Sequence, residues 1–254
     1  MTTARKNNVP RLVISTQPVE QAEKLKSVLS ESGIDFLSLP MIRTETAEPD
    51  EDVLSVLKNL SGFDRMIFTS KNGVVAFASL LVKLQISFPE AIPVAVIGKG
   101  TAAELQQSGS KNIELNPGNT SADFAVFLNQ SVLKSGENVL LVQGSMAPDF
   151  LEKELSQKAT VTRINVYHTL PVEETDLSTI EKIKEDQYGL LVFSSPSAFT
   201  FFSHYVDPHT QKLRILSIGS TTTAAIKKTA DVEIITAEKP DTKSLKKEII
   251  HYFN

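Results

Sequence analysis

The residues best placed for chemistry are those of Phe68 to Val74 (FTSKNGV) and Phe193 to Phe199 (FSSPSAF). In each stretch small polar residues follow an apolar run, ending at Ile67 in one and Val192 in the other, and lead into a helical pattern. A helix start leaves backbone N–H groups unpaired and carries partial positive charge. Thr69, Ser70, Asn72, Ser194 and Ser195 therefore stand where they can cap a helix or face an anion. Capping alone would explain one such seam; two in matching surroundings point to an anionic ligand. Two further seams, Gly98-Lys99-Gly100-Thr101 and Gly219-Ser220-Thr221-Thr222, add backbone N–H groups and hydroxyls. The first loosely fits a GxGxxA dinucleotide fingerprint. It follows the fourth strand of its unit rather than the first, and the second copy keeps only Gly219, so a tight strand-to-helix turn is the better reading.

Tyr167 offers a different chemistry. It lies just past an apolar strand, and its counterpart in the first copy is Ile42. A phenol in that place is either a core residue with one satisfied hydroxyl or a proton donor at a site; an ordinary phenol is protonated at neutral pH. Arginine is sparse and does not cluster near the seams. An anionic ligand would rest mainly on N–H groups and hydroxyls, each worth roughly 1.5–3 kcal/mol to a charged partner. Five or six such bonds suffice for a micromolar complex, about 8 kcal/mol, after ordering costs.

The common phosphate and metal patterns GxxxxGK[ST], HExxH and the EF-hand loop are absent, and His168, His204, His209 and His251 show no ligand spacing, so no metal is expected. With 254 residues and 41% apolar content the chain suits one large domain or two small ones. A net charge of −4 argues against a nucleic-acid partner. The lack of cysteine excludes a disulfide framework, thiolate metal sites and cysteine catalysis, and fits a reducing compartment. The polar N-terminus lacks a signal-peptide core and no apolar run reaches membrane-spanning length, so a cytoplasmic protein without a membrane partner is expected.

The elements that must position these residues alternate. Short apolar runs at 11–15, 35–39, into Phe68, 93–97 and 112–115 are separated by helical patterns, with connectors at Pro40 to Thr44 and at the Asn119-Thr120 turn. The second half replays this with runs at 138–142, 160–166, into Phe193, 213–218 and 233–236, and a connector at Tyr167 to Pro171. Thr44 and Thr169 keep the same offset as Phe68 and Phe193, and Gly98 with Gly219 and Thr120 with Thr242 fall a few residues short of it. A duplicated unit of five strands and intervening helices predicts an α/β fold with two similar domains, each a parallel sheet flanked by helices. The repeat by itself places a boundary near residue 134. Ligands of such sheets sit beyond the carboxyl ends of the strands, so a ligand cleft between the two domains is expected.

Taken in order, FTSKNGV at 68–74, IGKGTA at 97–102, Asn119-Thr120-Ser121, VYHT at 166–169, FSSPSA at 193–198 and IGSTT at 218–222 resemble the uroporphyrinogen-III synthase family over nearly the whole chain. The sequence has its own Lys71-Asn72 and Ser220 at positions that vary in the family. The resemblance implies two flavodoxin-like domains joined by a two-stranded linker: one of residues 1–39 plus 170–254, the other of 45–164, with linker strands at 40–44 and 163–169. It implies cyclisation of hydroxymethylbilane, a linear tetrapyrrole, to uroporphyrinogen III with loss of water and inversion of the terminal ring. No cofactor and no macromolecular partner are implied, and a monomer is expected. Tyr167 would assist departure of the hydroxyl. Thr69, Ser70, Asn72, Gly98, Thr101, Ser194, Ser195, Gly219, Ser220, Thr221 and Thr222 would receive the substrate carboxylates. Two other readings stay open: a non-catalytic two-domain sensor of a small anion, and a nucleotide-dependent transferase.

Overall fold

The structure, a computed structural model, describes residues 9–118 and 120–254. Asn119 of the expected turn and the polar start of the chain, residues 1–8, lie outside the described residues. In chain order the first elements are β1 (Leu12–Ser15), α1 (Val19–Leu29), β2 (Asp35–Ser38), β3 (Ile42–Thr46), α2 (Glu51–Lys58), β4 (Arg65–Phe68) and α3 (Lys71–Lys83). Next come β5 (Val94–Val96), α4 (Lys99–Gln107), β6 (Ile113–Leu115), α5 (Ser121–Phe127), β7 (Asn138–Gly144) and α6 (Phe150–Leu155). The chain ends with β8 (Thr160–Pro171), α7 (Leu177–Lys184), β9 (Leu190–Phe193), α8 (Pro196–Phe202), β10 (Ile215–Ser217), α9 (Ser220–Thr229), β11 (Ile234–Thr236) and α10 (Thr242–Phe253).

These elements form two compact units: unit 1 from Met1–Arg43 and Leu170–Asn254, and unit 2 from Thr44–Thr169. The boundary near residue 134 that the repeat suggested is therefore not a boundary; Lys134 lies inside unit 2. Each sheet mixes the two copies. The sheet of unit 1 runs β11-β10-β9-β1-β2, and that of unit 2 runs β3-β8-β7-β4-β5-β6. Unit 1 thus takes its first two strands from one copy and β9 to β11 from the other. Unit 2 does the reverse, with β7 and β8 beside β4 to β6.

The pairing is parallel from β11 to β2 in unit 1 and from β8 to β6 in unit 2, for example Ile14 with Leu191 and Leu191 with Ile215, and Leu140 with Met66 and Met66 with Val94. Parallel strands carry crossover helices on both faces, so their sequences are mostly apolar; in β4 only Arg65, paired with Glu114 and Glu137, departs from this. β4 and β9 are buried at all four residues. Alternate side chains then enter opposite cores. Met66 and Phe68 meet Phe77 and Leu80 of α3, while Ile67 meets Phe124 of α5 and Leu155 of α6. In unit 1, Leu191 and Phe193 meet Phe199 and Phe202 of α8, while Leu190 and Val192 meet Leu25 of α1 and Ile249 of α10. Each such side chain contributes roughly 1.5–3 kcal/mol by burial.

The two expected connectors are strands. β3 begins at Ile42, and β8 continues for 12 residues to Pro171 instead of stopping before Tyr167. β7 offers partners as far as Tyr167, with Gln143 facing Asn165 and Gly144 facing Tyr167 across a register shift, and β3 is the other neighbour of β8. Among the described residues no helix is long and apolar enough to cross a membrane.

Candidate active site

In unit 2 the carboxyl ends of β4 and β5 carry Thr69, Ser70, Asn72, Gly98 and Thr101, and Tyr167 lies on β8 beside Gly144, the last residue of β7. Ser70 is the N-cap of α3; its Oγ accepts from the Gly73 N–H at 3.1 Å. The same oxygen lies 3.2 Å from the Tyr167 hydroxyl. Tyr167 is half-buried, with its ring against the core beneath α3. Its ring also lies over Gly144, where a Cβ would come within 2.4 Å of Cζ and 2.8 Å of Oη. The glycine is what lets the phenol lie flat at this place on the sheet. Gly98 takes φ +84°, a left-handed backbone that favours glycine, and leads directly into α4. No side chain caps that helix, so its first N–H groups have no partner from the cap residue.

In unit 1 the carboxyl ends of β9 and β10 carry Ser194, Ser195, Gly219, Ser220, Thr221 and Thr222. Ser195 caps α8 by accepting from the Ala198 N–H at 3.1 Å and contacts Ser197 Oγ at 3.1 Å. Gly219 opens α9 without a side-chain cap. Thr222 is 3% exposed and Thr101 5%, so their side chains point inward; Ser220 and Thr221 are the exposed hydroxyls at the start of α9.

Three groups of residues at these strand ends escape a reading of the sequence alone. Ser15 ends β1, Thr16 and Gln17 follow it, and all three are buried, with Thr16 Oγ1 donating to the Val192 carbonyl at 2.8 Å. The signal is available, since a small polar run follows β1 as one follows β4. Gly144 and Ser145 end β7, and Ser145 Oγ lies 3.1 Å from Nδ1 of the exposed His168. Only the β7–β8 register reveals that Gly144 sits under Tyr167. Lys71 and Lys99 are the first residues of α3 and α4, where the helix dipole disfavours a cation. Lys71 is held at 3.4 Å by Glu104.

Unit 2 also has a hollow of about 390 Å³ lined by Glu48, Asp50, Asp52, Ser145, Arg163 and His168, among others. Neither Tyr167 nor Ser70 lines it, and its three carboxylates repel an anionic ligand. Among the described residues no group of three or more His, Asp or Glu is placed to hold a metal ion.

Residues 23–247 match the family described as uroporphyrinogen-III synthase HemD. The chain belongs to that family. It is 30% identical over 152 residues to the uroporphyrinogen-III synthase of Proteus mirabilis, an alignment covering 59% of this chain and 75% of the relative. Its fold is shared with a mutant uroporphyrinogen III synthase from the extremely thermophilic bacterium Thermus thermophilus, at 18% identity and a TM-score of 0.65 over 94% of this chain and 98% of that one. The uroporphyrinogen-III synthetase of Helicobacter pylori gives a TM-score of 0.62 at 18% identity, over 96% of this chain and all of that one. As a member of the uroporphyrinogen-III synthase family, the protein is a cyclising lyase of haem biosynthesis. The reading as a non-catalytic sensor is not favoured.

Proposed function

We propose that the protein converts hydroxymethylbilane to uroporphyrinogen III with chemistry at the strand-end edge of unit 2, where Tyr167 gives a proton to the departing hydroxyl. The observation that carries this reading is the placement of the Tyr167 phenol over Gly144, 3.2 Å from the hydroxyl that caps α3. A tyrosine that served the core alone would need no glycine beneath its oxygen.

The substrate bears eight carboxylates. The helix starts of each unit offer N–H groups and hydroxyls suited to them: Thr69, Asn72 and Gly98 in unit 2, and Ser194, Ser195, Gly219, Ser220 and Thr221 in unit 1. Thr101 and Thr222 act through their backbone, since their side chains are buried. The positive helix ends favour such anions, and Lys71 and Lys99 add to the field where a cation would otherwise be out of place.

Protonation releases water and leaves an electrophilic azafulvene end. The terminal ring attacks through its substituted carbon, and the spiro intermediate fragments and recloses inverted. Closure through the free carbon occurs spontaneously, so the protein's main task is geometric: it must hold the chain where the spiro path is shorter than direct closure. Ring closure with loss of water changes no oxidation state, which is why a cofactor is not part of this reading. The reading includes a cytoplasmic location and a monomeric state.

Incubation of the protein with hydroxymethylbilane and separation of the product isomers tests the reading. The inverted isomer is expected in excess. Spontaneous isomer alone would overturn the assignment and leave a sensor or a transferase.

A further inference from the structure

Ser70 carries two duties on one oxygen. A hydroxyl has one proton and two lone pairs. The Gly73 N–H occupies one lone pair at 3.1 Å, and the Tyr167 oxygen lies 3.2 Å away on another side. The phenol ring is packed against the core beneath α3 and sits over Gly144, whose missing Cβ leaves it room there. The hydroxyl of Ser70 is also polarised: it caps the positive end of the 13-residue helix α3 and receives a hydrogen bond there.

We propose that Ser70 is a positioning residue for Tyr167 rather than a carboxylate ligand. Its proton is donated to the phenol oxygen, which leaves the phenol's own proton directed at the substrate. This inference rests on Tyr167 being the acid. In the step, the phenol O–H bond breaks and its proton joins the substrate hydroxyl. The C–O bond breaks, water leaves, and the electron pair of the pyrrole nitrogen fills the vacant carbon. The phenolate that remains keeps the hydrogen bond from Ser70. Ring closure later releases one proton from the attacking pyrrole, which restores the phenol. A hydrogen bond that strengthens as charge appears on its acceptor lowers the barrier without tightening substrate binding.

Unit 1 has the same cap without this duty. Ser195 accepts from Ala198 N–H at 3.1 Å, but its neighbour is Ser197, and the counterpart of Tyr167 is Ile42, a core residue.

Steady-state kinetics on hydroxymethylbilane, reading the inverted isomer, separate the possibilities in four variants: Ser70→Gly, Ser70→Thr, Tyr167→Phe and the Ser70→Gly/Tyr167→Phe double. Glycine is nearly as good an N-cap as serine, so α3 persists in Ser70→Gly. That variant should lose about tenfold to a hundredfold in kcat with KM changed by less than about twofold, the size of one hydrogen bond to a charged group. Ser70→Thr should recover most of the loss. In the Tyr167→Phe background Ser70→Gly should cost nothing further, because its effect runs through the phenol. A raised KM at unchanged kcat would make Ser70 a carboxylate ligand. An equal fractional loss in both backgrounds, or a lowered Tm with unchanged kinetics, would overturn the proposal as well. Full turnover by Tyr167→Phe would remove the acid itself, an outcome visible without any Ser70 variant.

Discussion

At the end of β4, Ser70 enters α3 at φ −155° and ψ 153°; at the end of β9, Ser195 enters α8 at φ −155° and ψ 154°. Both accept from the third residue of the helix at 3.1 Å. Beneath them Phe68 meets Phe77 edge to face at 5.4 Å, and Phe193 meets Phe202 at 5.2 Å. The scaffold has been kept in both units. What differs lies two strands away from β4: β8 presents Tyr167 over Gly144 in unit 2, whereas the counterpart in unit 1, Ile42, is buried. Unit 2 also begins α3 and α4 with lysine, where α8 and α9 begin with Pro196 and Ser220. The duplicated scaffold thus offers a capped helix start in each unit, while the proton chemistry proposed above belongs to unit 2 only.

The comparison breaks most sharply at turnover. Tyr167→Phe should lower kcat by about 10²- to 10⁴-fold, the usual range for a general acid, while leaving some inverted isomer because geometry carries the rest. Ile42→Val at the counterpart position should leave kcat unchanged and cost about 0.5–1.5 kcal/mol in denaturant unfolding. Equal kinetic effects at both positions would erase the distinction between the units.

The shared part of the scaffold makes the next largest prediction. Phe77→Ala and Phe202→Ala should each destabilise their own unit by about 3–5 kcal/mol, since both rings are fully buried and each leaves a cavity. Chemical denaturation followed by circular dichroism would check it; a large loss for one and not the other would show that the two cores are not equivalent.

Binding comes third. Thr221→Val should raise KM about tenfold at unchanged kcat, the loss of one hydrogen bond to a carboxylate. Thr222→Val, whose side chain is buried, should leave KM alone. The opposite ranking would mean that α9 meets the substrate through another face.

The smallest effect concerns the helices behind the seams. Asp50 caps α2 through one bond to the Val53 N–H at 2.8 Å. Asp176 caps α7 through the N–H groups of Ser178 and Thr179 and also accepts from both hydroxyls. The hydroxyl of Ser178, followed by that of Thr179, holds the Asp176 carboxyl down to about 2 from the usual 3.8. A lowered folded value means stability that is fully present above 3.8 and lost as pH falls through about 2. Asp176→Ala should therefore cost about 0.5–2 kcal/mol at neutral pH, more than Asp50→Ala, and the difference should shrink below about pH 4. Thermal unfolding across that range is the measurement.

Much of this organisation is legible along the chain. The strand runs, the helix patterns and the caps at Ser70 and Ser195 depend on residues within a helical turn of each other, so periodicity and residue type suffice to place them. The connectors, which periodicity alone leaves irregular and the resemblance makes linker strands, follow the complementary rule. β3 and the end of β8 are strands because a partner strand lies alongside, and nothing local in Tyr167 to Pro171 announces that partner. Thr101 and Thr222 read as site hydroxyls by type and position, yet the helix turn on which each sits points it inward.

The sequence by itself determined that the protein is a duplicated α/β chain, that its strands end in small polar residues suited to helix starts, and that it carries one phenol where its other copy has an aliphatic residue. These are short-range properties of spacing and side-chain chemistry. Spacing and periodicity did not reveal that each sheet is assembled from parts of both copies, an arrangement only the family resemblance implied; that Gly144 lies under Tyr167 and that Ser70 meets a phenol 97 residues away emerged from the folded chain. Parallel pairing joins strands that are distant along the chain, and which strands meet, in what register, follows from the burial of whole faces rather than from any local signal.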